Sequence, residues 1–238
     1  MSVWGSQPLP FPNQGHIALV VRGKGRRDLP PGDGGHVDVI LPSGAPAGFF
    51  VAPSFESAGA SGTGGRNGTG ISGMGAPGYV YGYADFCANR AHYVHMRLAR
   101  AHNALSGVLL MSVSPAHATR FHRAWEAIRM RPGSFDIIGS NCASHAAIAF
   151  GMAGLIPAGI PGLDTPDNLF HALRNRHASN CRDVYGYLGF LPRISGQTAA
   201  DQLGMECDVG MDAFLGTRRP APPPSVRPVG GQGRLREL

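Results

Sequence analysis

Residues 16–21, HIALVV, form an unbroken apolar run behind one histidine, and residues 36–41, HVDVIL, alternate apolar with polar positions. Both patterns predict strands. The segment between them, RGKGRRDLPPGDGG, is turn chemistry throughout, so the pair reads as a β-hairpin with a long loop. PAGFFVAP, from residue 46, extends or follows it, and VLLMSV at 108–113 predicts a further strand.

The period then changes to that of a helix. In SPAHATRFHRAWEAIRMRPG, Ser114 suits the N-cap and Pro115 the first helical position. Ala118, Phe121, Trp125 and Ile128 fall on one face, and Pro132-Gly133 stops the pattern, which predicts a helix over 115–131. SFDII reads as a short extended run and CASHAAIAFGMAGL as a second helix ending near Gly154. TPDNLFHALRNR repeats the helix-start chemistry, with Leu169, Phe170 and Leu173 as the apolar side of a helix over 165–175. VYGYLGFLP reads as a strand. YVYGYADF is aromatic and β-like or irregular, and CANRAHYVHMRLARAHNAL fits either a helix or a long strand with a helical start.

Together these elements predict an α+β domain over residues 1–215, a small antiparallel sheet packed on the helix that begins at Cys142. The 35 glycines and 20 prolines in 238 residues imply much loop. The low-complexity Gly/Ser/Thr stretch at 57–78 reads as an insertion, and the Pro/Arg-rich residues 216–238 as a disordered tail or extended arm.

The net charge of +6 favours anionic partners such as nucleic acid, anionic lipid or bacterial cell wall. Five arginines (Arg218, Arg219, Arg227, Arg234, Arg236) lie at the extreme C-terminus, and no basic block has interleaved aromatics, which argues against nucleic acid. No signal-peptide pattern opens the chain and no apolar run is long enough for a membrane span. The expectation is a chain made in the cytoplasm and exported, where it acts outside, by a signal-independent route. Cys87, Cys142, Cys181 and Cys207 contain no C-x-x-C pair, so neither a zinc site nor any other metal or cofactor is implied, and their disulfide state is open.

Cys142 is the candidate for chemistry. It stands where a strand hands over to a helix, and a helix N-terminus favours the thiolate. Asn141 or Ser140 can cap that helix, and its first N–H groups could stabilise an oxyanion. A histidine on a strand packed against the helix would be the base, and His16 opens the first strong strand. His36 and Asp38, on one face of the neighbouring strand, are candidates for the third group. Each residue also has a plainer reading: Cys142 as a small buried residue, His16 as a strand end, His145 as a packing or capping residue one turn along the helix. His92, His95 and His102 suggest a metal face only if their segment is helical, and no ligand-spaced carboxylate or cysteine completes it.

GHIALVV followed much later by SFDIIGSNCASHAAIAFGMAGL resembles the circularly permuted branch of the papain-like NlpC/P60 superfamily, in which a strand histidine precedes an Asn-Cys helix. The lecithin:retinol acyltransferase-like proteins belong to that branch. LDTPDNLFHAL resembles the Thr-Pro-x-x-Leu helix that follows it in many bacterial proteins of this type, some of them secreted antibacterial effectors. The resemblance covers roughly residues 15–48 and 105–175. It implies Cys142 as nucleophile behind Asn141 and His16 as base; His36 falls near the second-histidine region without matching its spacing. It also implies a thiol hydrolase acting on peptidoglycan peptides, with an immunity protein and a component of a secretion machine, such as type VI, as partners. The alternatives are a lipid or thioester acyl hydrolase, or a binding or secretion-associated module that has lost activity.

Overall fold

The computed structural model describes residues 5–8, 15–22, 35–53, 75–102, 104–136, 139–157, 165–192 and 203–209. In chain order the strands are β1 (Gly5–Pro8), β2 (His16–Arg22), β3 (His36–Ile40), β4 (Pro46–Val51), β5 (Ala76–Tyr81), β6 (Ser106–Ser112), β7 (Ser134–Phe135), β8 (Cys181–Pro192) and β9 (Leu203–Val209). The helices are α1 (Tyr83–Asn89), a 3₁₀ turn at Ala91–Tyr93, α2 (Met96–Ala101), α3 (Pro115–Met130), α4 (Cys142–Met152) and α5 (Pro166–Arg176). The expected mixed α and β architecture is present. The tail at 216–238 lies outside the described residues, as does the Gly-rich stretch up to residue 74.

The hairpin expected from HIALVV and HVDVIL forms: β2 and β3 run antiparallel with Ala18 opposite Ile40 and Arg22 opposite His36. The sheet is larger than the small one expected. Among the described residues it has nine strands in the order β1-β9-β8-β6-β2-β3-β4-β5-β7, and every neighbouring pair is antiparallel.

Both faces of its central strands are covered, which explains why HIALVV has no polar alternation. Ile17, Leu19 and Val21 of β2, Val37 and Val39 of β3 and Phe49 of β4 pack with Phe121 and Trp125 of α3, Ala146 and Phe150 of α4 and Phe170 of α5. On the other face Ala18, Val20, Ile40, Phe50, Val108 and Leu110 pack with Phe86, Tyr93 and Val94. The segment around 87–105 is therefore neither one helix nor a strand but short helical pieces laid on that second face.

The expected caps hold the helices in place. The Ser114 hydroxyl accepts from His117 N–H at 3.2 Å and the Thr165 hydroxyl from Asn168 N–H at 3.3 Å, each with proline next in the chain. Gly133, with φ of 70°, ends the turn after α3 in a conformation that disfavours other residues.

Phe121 is fully buried and its ring centroid lies 4.7 Å from that of Phe150, which joins α3 to α4. Phe121→Ala is expected to cost about 3–5 kcal/mol. Urea unfolding should show a lower midpoint with an unchanged m-value; a loss under about 1 kcal/mol would mean that this contact does not seat α4.

Candidate active site

The register of the sheet decides where α4 begins. In an antiparallel hairpin the starts of successive strands lie at opposite ends, so His16 and His36 cannot share one end of the sheet. His16 pairs with Ser112, whereas His36 pairs with Arg22, six positions further along β2. At the strand rise that separation is about 20 Å. The last residues of β4 lie at the His36 end, because Asp38 pairs with Gly48 and Ile40 with Pro46. Val51 then pairs with Gly78 of β5, and Ala76 of β5 with Phe135 of β7, which leads directly toward α4.

The first turn of α4 thus docks against the start of β3. An Asp136–Ser140 bridge closes the tight link before it, with Gly139 at φ of 87°. Asn141, rather than Ser140, is the cap: its Oδ1 accepts from the N–H groups of Ala143 at 2.9 Å and Ser144 at 3.0 Å, and Ser144 Oγ accepts from Asn141 N–H at 2.8 Å. Ser140 instead donates to the Ser134 carbonyl at 2.6 Å.

Cys142 is 8% exposed, and its sulfur lies within hydrogen-bond reach of the His36 side chain and of the Val37 N–H. His36 Nε2 is engaged 2.8 Å from Asp38 Oδ1, which leaves Nδ1 as the nitrogen for the thiol. Asp38 is completely buried and accepts a second bond from Arg22 Nε at 2.8 Å, while Arg22 Nη1 donates to Ser106 Oγ at 3.0 Å. Cys142, His36, Asp38, Arg22 and Ser106 form one continuous chain of polar contacts. The His36 ring is held flat against Phe50, with centroids 4.1 Å apart.

The electrostatics follow from this order. Burial alone would push the His36 imidazole down, but the charges of Cys142 and Asp38 and their hydrogen bonds outweigh it and raise the pKa to about 9. Burial likewise pushes the Cys142 thiol up; the His36 charge, its hydrogen bond and the Val37 N–H prevail and hold the thiol below its ordinary value. Burial opposes the Asp38 charge too, yet His36 and Arg22 lower its pKa. All three shifts run toward the charged forms, a thiolate, an imidazolium and a carboxylate in line.

The assignment of His16 as base is therefore corrected. His16 stands at the far end of β2, and His36 is the histidine at the sulfur, with Asp38 behind it in the third position. His145 has the packing role: it stacks on Phe49 with centroids 3.6 Å apart and places Nδ1 3.0 Å from the Asn141 carbonyl. His92 and His102 lie 5.5 Å apart, but among the described residues no three His, Cys, Asp or Glu side chains are grouped to hold a metal ion. Cys87 and Cys181 are free thiols like Cys142. No protein-family model, curated protein or solved structure matches the chain.

Sequence reasoning missed Arg22 and Gly48. A charge placed directly after a fully apolar strand run is the signal that could have found Arg22, since its side chain is forced into the interior with a partner. Gly48 faces Asp38 across the β3–β4 ladder, where a Cβ would collide with the Asp38 carboxylate and approach Phe50 Cε2 to 2.8 Å. Gly48→Ala should cost about 1–3 kcal/mol through overpacking. By moving Asp38 it should also lower the His36 pKa from about 9, because the carboxylate is one of the charges that raise it. Histidine NMR titration checks this, and an unmoved pKa would remove Asp38 from its role.

Proposed function

We propose that the chain is a cysteine hydrolase of the permuted papain-like kind, with Cys142 as nucleophile, His36 as the imidazolium that pairs the thiolate and acts as acid and then base, and Asp38 as the group that orients the imidazole. The observation that carries this reading is the His36 side chain brought against Cys142 at the start of the helix, with Asp38 Oδ1 2.8 Å from its Nε2. The lowered thiol and raised imidazole are what a preformed nucleophile requires.

In the reaction, the Cys142 thiolate attacks an amide carbonyl carbon and the carbonyl π pair moves to oxygen. The Asn141 side chain takes up the Ala143 and Ser144 N–H groups and the Asn141 carbonyl takes that of His145, so the Cys142 N–H is the helix-start donor that would meet the oxyanion. As the C–N bond breaks, the His36 imidazolium gives its proton to the departing amine. Neutral His36 then takes a proton from water as it attacks the thioester, and the acid leaves with the thiolate restored.

Peptidoglycan peptides are the proposed substrate. The net charge of +6 suits a cell-wall polyanion, and the resemblance of the Asn-Cys and Thr-Pro helices to those of secreted antibacterial effectors points the same way. Under this reading the protein reaches its target by a secretion machine, and its producer holds an immunity protein that covers the Cys142 site. No helix among the described residues is long and apolar enough to cross a membrane.

Iodoacetamide should label Cys142 faster than Cys87 or Cys181 at pH 7. The advantage should fall at least ten-fold in His36→Ala and persist in His16→Ala. Hydrolysis of purified peptidoglycan should vanish in Cys142→Ala. Its kcat/KM should follow a bell in pH whose two limbs report the coupled titration of Cys142 and His36, the alkaline limb lying near 9. Equal labelling of the three thiols would sink the hydrolase reading; undiminished digestion by Cys142→Ala would sink the substrate.

A further inference from the structure

Arg22, at the far end of that chain of polar contacts, stands among further basic side chains that the proposed hydrolysis does not use. Arg22 is 5% exposed, and two of its three nitrogens are committed, Nε to Asp38 and Nη1 to Ser106. Nη2 is buried and has no hydrogen-bond partner among the described residues. A guanidinium N–H pair in the interior is costly unless something accepts from it. The guanidinium carbon lies 4.5 Å from the Tyr93 ring centroid, and the His92 ring meets the same tyrosine edge-on at 4.5 Å.

Arg90 adds a further buried guanidinium, 5.5 Å from the Phe50 ring that also carries His36. His92 is half-buried, and the exposed His102 lies beside it, so this group runs from the surface inward to Arg22. The basic groups act on one another: burial, then His102, Arg22 and Arg90, drive the His92 pKa down to about 4, against a small opposing pull from Asp38.

We propose that Arg22, flanked by Arg90 and His92 over Tyr93, is a carboxylate-binding site. Arg22 is already half neutralised by Asp38, and only one of its nitrogens remains to donate, so a monoanion with a pair of acceptor oxygens fits better than a phosphate dianion. The occupant would be separated from Cys142 by Asp38 and His36. This site does not depend on hydrolysis. If the two readings are joined, the carboxylate belongs to the substrate.

Acetate is the probe, titrated into the wild-type protein at fixed ionic strength against chloride and inorganic phosphate, with the His92 ring followed by NMR. At pH 7, where acetate is ionised, it should shift the His92 ring signals saturably, because the bound anion would lie among the cations that surround that ring. Arg22→Lys keeps a cation for Asp38 but lacks Nη2, and Arg90→Gln removes the flanking charge; each should weaken acetate at least ten-fold. Should Arg22→Lys fail to fold, Arg90→Gln decides by the same criterion. A response equal to that of chloride, or saturation unchanged in the folded variants, overturns the site, and tighter binding of phosphate overturns the carboxylate class. Acetate is not hydrolysed, so failure here leaves the Cys142 reading standing, and an inert Cys142 leaves this one standing.

Discussion

Asp38 is a fully buried carboxylate in the middle of a sheet with apolar residues on both faces, and its position forces much of what surrounds it. A lone charge there would be driven to neutrality. It stays charged because Arg22 grips one oxygen and His36 the other. Breaking such a set by removing one member costs about 3–5 kcal/mol, since it leaves a buried charge uncompensated. The same demand fixes the backbone around it: Gly48 must lack a side chain where the carboxylate crosses the ladder, and Ser106 must accept the guanidinium at the far end.

Cys142 completes this arrangement from a different layer. The helix that carries it packs on the α3 and α5 face, whereas Arg22 and Asp38 stand among the side chains of the other face. The two meet only at the end of the sheet, at the start of β3. There the β3–β4 pairing ends at Asp38 and Gly48, and the Val37 N–H lies against the sulfur. The place of Cys142 is therefore set by topology: the β5–β7 pairing leads the chain to this end of the sheet, and the Asn141 cap fixes the first turn there.

Local chemistry was legible in the sequence. Ser114-Pro115, Thr165-Pro166 and Asn141-Cys142 each mark a helix start within one residue of where it stands, because caps are short-range hydrogen bonds written in adjacent residues. The hairpin of β2 and β3 was legible for the same reason. What was not legible is which end of that hairpin meets the helix. His16 and His36 both open strands, and the choice between them depends on β4, β5 and β7, whose pairing involves contacts far apart in sequence. The short helices near Tyr93 were equally hidden, since their apolar residues are placed to cover the sheet rather than to follow one period.

The helix N-terminus that first singled out Cys142 explains only part of its chemistry. Burial of the sulfur raises the thiol, and this opposes the helix start. A positive charge in contact must supply the difference, and it comes from His36, which is itself buried and would be neutral without Asp38 and the thiolate. Each charge is thus stable only because the next one is present. Such a chain titrates as a unit, so its protons leave at values that belong to the set rather than to Cys142 or His36 separately. The buried arginine at its end makes the unit depend on a residue whose hydrogen bonds go to Asp38 and Ser106 rather than to the thiol or the imidazole. Through the Arg22–Asp38 contact, anything that accepts from Arg22 Nη2 reaches Cys142 electrostatically without approaching it.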